Sequence, residues 1–531
     1  MGDILFWVSL VILLCVFSQK FSYKLGIPAL IFFMFIGMLF GSDGIFGIEY
    51  SNFESAEMIC SIGLIFIMFD GGFNTNWEVA KKSVTKAATL STVGVFLTAI
   101  ISTIVLHLVL KLSLAESFLI SSVLASTDAA SVFAILKANN LDLKDGTSSI
   151  LEVESGSNDP MAYLLTITAI GIMQSGKVGN IFLTIVLQLV VGFLMGLLFA
   201  LISKFFLQKR NILADSLDVV FVMAIVLLCY ATTDKLGGNA YLSVYLLGIY
   251  LGNFRINAKR VIASFFNEIT FHVQILIFFI IGLLSFPKSM PQSIPTSIVV
   301  VLVLTFIARP LMTIILLLPF KCSLKQCLLI SWAGLRGASS IVFAIVAVSS
   351  GIDLSIDLFH VVFLVSLFSI SIQGALLPTV SKKLDMIDEN PNINKTFNDF
   401  EETVDFQFAR IQISEDHAWA NKRIKDIGLP KELQVIMIKR NNQSLAARGK
   451  TIIEPGDELI INTVAYYPTM DEYVQEVLID KRHKWVNKTV EELHIPNNEL
   501  IIMDIRGDEK IIPNGDTVIK EGDIILIFAG H

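Results

Sequence analysis

Thirteen apolar runs, each close to the length of a bilayer crossing, constrain this chain more than any other feature. They fall at about 4–19, 26–41, 56–76, 87–110, 114–137, 152–174, 180–203, 217–233, 239–253, 268–286, 296–319, 325–349 and 358–380. A hydrocarbon core about 30 Å thick takes about 20 helical residues. Helices suit it because each satisfies its own backbone polar groups. With 54% of its 531 residues hydrophobic, the chain reads as an α-helical polytopic membrane protein. Its first residues, Met1-Gly2-Asp3-Ile4-Leu5-Phe6-Trp7, lack a basic leader and a small-residue cleavage site. The first run is therefore expected to be a retained helix and not a signal peptide.

Lysine and arginine prefer cytoplasmic connections, and this bias sets orientation. With the N-terminus outside, the inside connections hold Lys20, Lys24, Lys81, Lys82, Lys86, Lys137, Lys144, Lys204, Lys209, Arg210, Arg255, Lys259, Arg260, Lys321, Lys325, Lys382 and Lys383. The outside connections hold Lys111, Lys177, Lys235 and Lys288. Seventeen against four places the N-terminus outside and the chain beyond Lys383 in the cytoplasm of a multi-pass cell-membrane protein.

Six ionisable residues interrupt these runs: Asp70, Asp128, Glu154, Asp159, Arg309 and Arg336. A charge near the bilayer centre costs roughly 2.5–3.5 kcal/mol even on lenient scales, so it needs a partner or a water-filled site. In Ala125-Ser126-Thr127-Asp128-Ala129-Ala130 a carboxylate sits mid-span among small residues, and Ala333-Gly334-Leu335-Arg336-Gly337-Ala338 puts a guanidinium at matching depth. By the loop count these spans run in opposite directions. Small-residue or Gly-interrupted segments in corresponding halves point to broken helices at an inverted-repeat transport site. Asp128 and Arg336 have the signs that balance the ends of half-helices.

The third stretch, Glu154-Ser155-Gly156-Ser157-Asn158-Asp159-Pro160, opens a span. Ser155 and Asp159 are four apart and share a helix face. A Ser155 hydroxyl, the Asp159 carboxylate and a backbone carbonyl freed near Thr127 make hard oxygen ligands suited to an alkali cation. The same carboxylate can instead take a proton, and such competition is the physical basis of exchange. Glu154 faces elsewhere and is assigned to pair with Arg309 of Ala308-Arg309-Pro310, with Arg336 as its other available partner. For Asp70, in Phe69-Asp70-Gly71-Gly72, reaching the cavity through water and capping a helix end both stay open.

The net charge of −7 gives no reason to expect a nucleic-acid partner. Cys15, Cys60, Cys229, Cys322 and Cys327 have neither metal-ligand nor disulfide-framework spacing and read as packing residues. No nucleophile elbow or phosphate loop occurs, so neither an enzymatic reaction nor a cofactor is expected.

Beyond Lys383 the composition turns polar over residues 384–404, including Glu389-Asn390-Pro391-Asn392, which reads as a linker. Then His417-Ala418-Trp419-Ala420-Asn421-Lys422 recurs as His483-Lys484-Trp485-Val486-Asn487-Lys488, an offset of 66 residues. Without gaps, the same offset carries Pro430 to Pro496, Met437 to Met503, Arg440 to Arg506, Gly449 to Gly515, Thr451 to Thr517, Gly456 to Gly522 and Asp457 to Asp523. The tail is thus two copies of one small α/β unit, 405–467 and 468–531. Each is expected to form a strand, a short helix, a strand and a final strand after a Gly-Asp turn. Each is small for an independent core, so the copies are expected to pack together or pair across a dimer.

Over about 1–385 the chain resembles the monovalent cation/proton antiporters, specifically the NhaP-type branch with an Asn-Asp pair. The resemblance rests on Phe69-Asp70-Gly71-Gly72, Ser126-Thr127-Asp128, Glu154-Ser155, Asn158-Asp159, Arg309 and Gly334-Leu335-Arg336-Gly337-Ala338. It implies the NhaA-like fold, a homodimer with a six-helix core that moves like an elevator, and electroneutral exchange. It assigns the ion site to Thr127 (backbone), Asp128, Ser155 and Asp159, with Asn158 in a structural role. Asp70 departs from the family, where many relatives carry Glu. The tail resembles the C-terminal subdomain of RCK regulators (TrkA-C), without the Gly-x-Gly-x-x-Gly fingerprint of a full nucleotide-binding domain. Tails of this kind imply the K⁺/H⁺ branch and make cyclic di-AMP the candidate regulatory ligand. A Na⁺/H⁺ antiporter with the same site stays open, because oxygen ligands alone do not separate the two ions. A potassium channel needs a carbonyl filter of the Thr-Val-Gly-Tyr-Gly type, which the sequence lacks. A non-transporting sensor does not need Asp128 and Asp159.

Overall fold

The computed structural model describes residues 2–25, 28–75, 83–139, 141–175, 181–208, 217–254, 256, 259–388, 406–430, 433–440, 443–464, 473–493, 495, 499–507 and 509–529. Lys81, Lys82, Lys177, Lys209, Arg210, Arg255, Pro496 and the linker residues 389–405 lie outside them. The chain forms two units, Met1–Pro391 and Asn392–His531.

Among the described residues the first unit is helical. Its helices are α1 (Gly2–Leu25), α2 (Ala29–Phe40), α3 (Phe53–Asn74), α4 (Val84–Leu110), α5 (Leu114–Val123), α6 (Ala129–Ala138), α7 (Thr147–Ser175), α8 (Ile181–Gln208), α9 (Asp218–Lys235), α10 (Ala240–Asn253), α11 (Lys259–Leu283), α12 (Met290–Phe320), α13 (Leu324–Trp332), α14 (Ala338–Ser349) and α15 (Leu358–Lys383). Each apolar run of the sequence corresponds to one helix, except that 114–137 is split into α5 and α6 and 325–349 into α13 and α14. Among the described residues six helices, α3, α4, α8, α11, α12 and α15, are individually long and apolar enough to cross a membrane. Helix α7 has the length, at 29 residues, but carries Glu152, Glu154 and Asp159.

Side-chain caps start many of these helices where the sequence supplies them. Asn52 caps α3, Asp128 α6, Asn239 α10, Ser323 α13 and Asp357 α15, each accepting from a backbone N–H three residues on. Ser113 and Glu116 form a reciprocal capping box at α5. Two groups of helices result. Helices α1, α2, α3, α8, α9, α10 and α11 contact one another as a panel, and α4–α7 with α12–α15 form a bundle. The groups meet where α3 and α10 face α7 and α14. The bundle contains one pattern twice. A long helix with a wide π-type turn (Leu90–Gly94 in α4, Leu304–Ala308 in α12) precedes a split helix and then a continuous one.

Asp385–Asp388 belong to the first unit and not to the linker. Ile387 bridges Leu143, Lys144 N–H donates to Met386 O at 2.9 Å, and Lys144 pairs with Asp385 at 3.0 Å.

The second unit holds β1 (Phe406–Gln412), β2 (Gln434–Arg440), β3 (Gln443–Ala446), β4 (Glu458–Val464), β5 (Tyr473–Leu478), β6 (Glu499–Arg506), β7 (Glu509–Ile511) and β8 (Ile524–Ala529). They make two four-stranded antiparallel sheets ordered β1-β4-β2-β3 and β5-β8-β6-β7. The repeat extends to a bulge at Val435/Met437 and at Ile501/Met503. Each sheet has its own core, around Ile438, Leu459 and Ile461 in one and Ile501, Ile525 and Ile527 in the other.

The short helix expected at the Asn-Lys motif is absent from the described residues. Asn421 and Asn487 adopt left-handed φ of 61°, which ends a helix before it can propagate. Only three-residue 3₁₀ turns follow, at Ile424–Asp426 and Val490–Glu492. The Gly-Asp turns do form, with Gly456 at φ +89° and Gly522 at +88°, a region that favours glycine. Arg440 grips Asp457 through Nε and Nη2, both at 2.7 Å, and Arg506 grips Asp523 in the same way at 2.8 Å. Burial pushes the Asp457 carboxyl up, but the Arg440 guanidinium and the Glu454 N–H outweigh it and hold it below the usual carboxylate range.

Candidate ion site

The two splits in the bundle lie side by side. Residues 124–128 link α5 to α6 and residues 333–337 link α13 to α14, and Asp128 N–H donates to Leu335 O at 2.8 Å across them. Asp128 caps the N-terminus of α6, accepting from Ser131 N–H at 3.3 Å and from Ser131 Oγ–H at 2.6 Å. A negative charge thus meets the positive end of a helix. From the other strand of the crossing, Arg336 Nη1 donates to Ser126 O at 2.6 Å, beyond the C-terminus of α5, so a positive charge meets carbonyls a broken helix leaves open. Arg336 is buried and Asp128 half-buried.

Two glycines make room for these charges. A Cβ on Gly337 would stand 2.4 Å from Asp128 Oδ2, and one on Gly334 would stand 2.6 Å from Arg309 Nε. Arg309 lies just past the π-type turn of α12, and its Nη1 donates to Glu154 Oε1 of α7 at 2.7 Å, with 3% and 1% of the two side chains exposed. Its Nη2 also reaches Ile330 O at 3.4 Å.

Helix α7 brings the third stretch against the crossing. Ser155 Oγ donates to Thr127 O and accepts from Ala129 N–H, both at 2.9 Å. The freed carbonyl near Thr127 is therefore held by a hydroxyl. Asn158 Nδ2 donates to Thr127 Oγ1 at 2.6 Å, pinning the other side of the same residue. Asp159 Oδ1 accepts from Ser126 Oγ, which lies 3.0 Å from Ser339 Oγ at the start of α14.

A cavity of about 240 Å³ opens against this constellation. Thr127, Asp128, Ser155 and Asp159 line it, together with Asn74, Glu152 and Ser339. Asn158, Glu154, Arg309 and Arg336 do not. Asp70 also stays off the wall. Its Oδ1 accepts from Asn74 Nδ2 at 2.8 Å, and Asn74, four residues along α3, is the residue that reaches the cavity. Four residues beyond Asp159 along α7, the Tyr163 ring meets Tyr241 edge-on at 4.7 Å and Phe343 at 5.7 Å.

Sequence reasoning did not single out Asn74, Glu152, Ser126 and Ser339 as cavity or carboxylate contacts. Ser126 lies inside the 125–130 motif and Ser339 directly follows the 333–338 motif, so only the direction of their side chains is hidden in the sequence. Asn74 lies on the panel, and nothing local in α3 announces what faces it.

Residues 9–383 match the family described as sodium/hydrogen exchanger, transmembrane. The chain belongs to the sodium/hydrogen exchanger family. This exchanger carries two further matches to the TrkA-C domain, at residues 408–463 and 474–530. It is 29% identical over 459 residues to the K(+)/H(+) antiporter NhaP of Alkalimonas amylolytica, spanning 86% of this chain and 80% of that one. It is 31% identical over 452 residues to the K(+)/H(+) antiporter NhaP2 of Shewanella oneidensis, spanning 84% and 78%. Its fold is that of the sodium proton antiporter MjNhaP1 from Methanocaldococcus jannaschii, with a TM-score of 0.63 at 22% identity, covering 72% of this chain and 98% of that one. The family is one of transporters, and the helical exchanger unit and the TrkA-C tail account for both halves of the molecule.

Proposed function

We propose that this exchanger is a secondary antiporter trading a cytoplasmic monovalent cation, K⁺ in the first instance, for H⁺. One observation carries the reading. The Asp159 carboxylate lies on the wall of a cavity that also presents Asp128, Ser155 and Thr127, in a crossing of two broken helices. Hard oxygens of this kind suit an alkali cation. In the proposed cycle Asp159 holds either a cation, with Asp128, Ser155 and the Thr127 carbonyl as neighbouring oxygens, or a proton. One positive charge moves each way, and the exchange is electroneutral. Asn158 holds Thr127 in place, Arg336 and Asp128 balance the broken-helix ends, and Glu154 with Arg309 ties α7 to α12.

Orientation follows from loop charge. The cavity residues Asn74 and Glu152 lie toward the connections rich in Lys and Arg, so the cavity faces the cytoplasm. The resemblance to the NhaP branch supports a homodimer in the cell membrane with the bundle sliding against the panel. The tail, on the cytoplasmic side, is assigned to regulation, with cyclic di-AMP the first ligand to try.

The names of the Alkalimonas and Shewanella relatives support K⁺. A Na⁺/H⁺ relative, ApNhaP of Aphanothece halophytica, at 26% identity over 390 residues, keeps Na⁺ as the second reading. Purified protein in vesicles loaded with a pH-sensitive dye separates them. An imposed K⁺ gradient is expected to move protons without a membrane potential. A response to Na⁺ alone would transfer the assignment to Na⁺, and a response to neither would remove it.

A further inference from the structure

The two tail repeats share a backbone but not an outer surface. In the second sheet Ile525 and Ile527 are buried in the core, so alternation along the strand turns Ile524, Leu526 and Phe528 of β8 to the opposite face. Leu478 of β5 pairs with Ile524, and on β6 Leu500 pairs with Phe528 and Met503 with Leu526. Six apolar side chains on three neighbouring strands thus form one continuous face. Leu478 and Leu500 are 65% and 64% exposed, so the described residues of the tail leave them uncovered.

The equivalent positions of the first sheet, 66 residues earlier, are Gln412, Gln434, Met437, Glu458, Ile460 and Asn462. There Glu458 accepts ion pairs from Arg410 at 3.2 Å and Lys439 at 3.6 Å. One face carries an Arg-Glu-Lys cluster and polar amides, and its repeat-mate is apolar at all six positions. Clustered exposed apolar residues rimmed by polar ones mark interaction sites.

We infer that the outer face of the second sheet is the surface on which the tails of two copies of this chain meet, β5-β8-β6 against the same three strands. The first sheet does not fit as the occupant, because covering it would strip water from the charged ends of Arg410 and Lys439, 68% and 47% exposed. The identical face of a second copy matches in character and needs no charge buried except Glu476, which stands on the edge strand β5 and reaches the rim. Size fits a tethered contact. Three strands about 4.8 Å apart and six residues long cover about 280 Å² per copy, roughly a third of the ~800 Å² per partner of a standard free-standing interface. Two tails held to a dimeric membrane unit meet at high effective concentration, where a small apolar contact suffices. This inference rests on the homodimer proposed above and adds the tail surface it uses.

Oxidative cross-linking of the full-length protein in membranes tests it. The five native cysteines are all buried, and the parent protein gives the baseline. Leu526→Cys, at the centre of the face, is expected to give a covalent dimer. Ile460→Cys, its first-sheet equivalent, is expected to stay at baseline. Adding Leu500→Asp to Leu526→Cys should cut the cross-linked fraction by more than about tenfold, since it buries a carboxylate in an apolar contact. Cross-linking at Ile460→Cys equal to that at Leu526→Cys, or none at Leu526→Cys, Leu500→Cys and Phe528→Cys, overturns the inference. Molar mass in detergent separates the two levels. A dimeric mass without tail cross-links sinks the tail contact alone, whereas a monomeric mass sinks the homodimer.

Discussion

Gly337→Ala is a one-carbon test of whether the helix crossing positions Asp128. Gly337 is extended, at φ −126° and ψ −152°, so alanine costs no backbone strain. The added methyl, however, would lie 2.4 Å from Asp128 Oδ2, 2.5 Å from its Cβ and 2.7 Å from its Cγ. Comfortable carbon contacts need about 3.5–4.0 Å, so the Asp128 side chain must retreat by about 1 Å. Its N–H is fixed to Leu335 O and its carboxylate to Ser131, so the retreat sacrifices the α6 cap. Overpacking costs about 1–3 kcal/mol and a lost N-cap about 1 kcal/mol, an expected loss of about 2–4 kcal/mol in stability. A displacement of about 1 Å at a reacting group commonly costs about a hundredfold in rate. The same order is expected for initial exchange rates in dye-loaded vesicles, normalised to folded protein. Gly171→Ala in α7, where an added Cβ meets nothing within 4 Å, is the control and should exchange normally. A wild-type rate for Gly337→Ala would refute the reasoning, because it would mean Asp128 need not sit where the crossing holds it.

Three further predictions follow from contacts already described. Glu154→Gln or Arg309→Gln should each cost about 3–5 kcal/mol by stranding a buried charge, with the double variant costing much less than the sum. Additive losses in thermal unfolding would show that the pair is not coupled. In the tail, Arg440→Ala should cost about 1.5–3 kcal/mol, read by hydrogen exchange in β4. Asp457 titrates below its unfolded value of about 3.9, so its stabilisation is fully present above that pH and lost as pH falls through the lower folded value. Arg440→Ala should flatten that acid dependence. Truncation after Asp388 should leave exchange in place and alter its response to pH or to a cytosolic small molecule. Truncation after Lys383 also removes Asp385 and Ile387 from Lys144 and Leu143, and should lower the melting temperature of the membrane unit. Loss of exchange in a well-folded chain ending at Asp388 would make the tail part of the transport machinery.

The membrane unit was legible in sequence because its signals are local. Apolar runs fix the helices, and small residues around Asp128 and Arg336 mark the splits. The assembly of the cavity was less legible. Ser126 and Ser339 are 213 positions apart, and the Asn74 that lines the cavity with Ser339 comes from the panel, so no spacing rule links the three. Asp70 was visible as a buried charge, but its engagement by Asn74 depends on which side of α3 meets the bundle. In the tail the repeat and its Gly-Asp turns were readable. The helix expected at the Asn-Lys motif was not formed, because the left-handed Asn421 and Asn487 stop it at a turn.

The central claim is that a single carboxylate, Asp159, takes cation and proton in turn. Asparagine keeps its size and much of its hydrogen bonding while removing the charge and the titration. In vesicles with an imposed K⁺ gradient, Asp159→Asn is expected to show no proton movement above protein-free vesicles while the protein elutes and melts like the wild type. Proton-coupled cation flux retained by that folded variant would contradict the account.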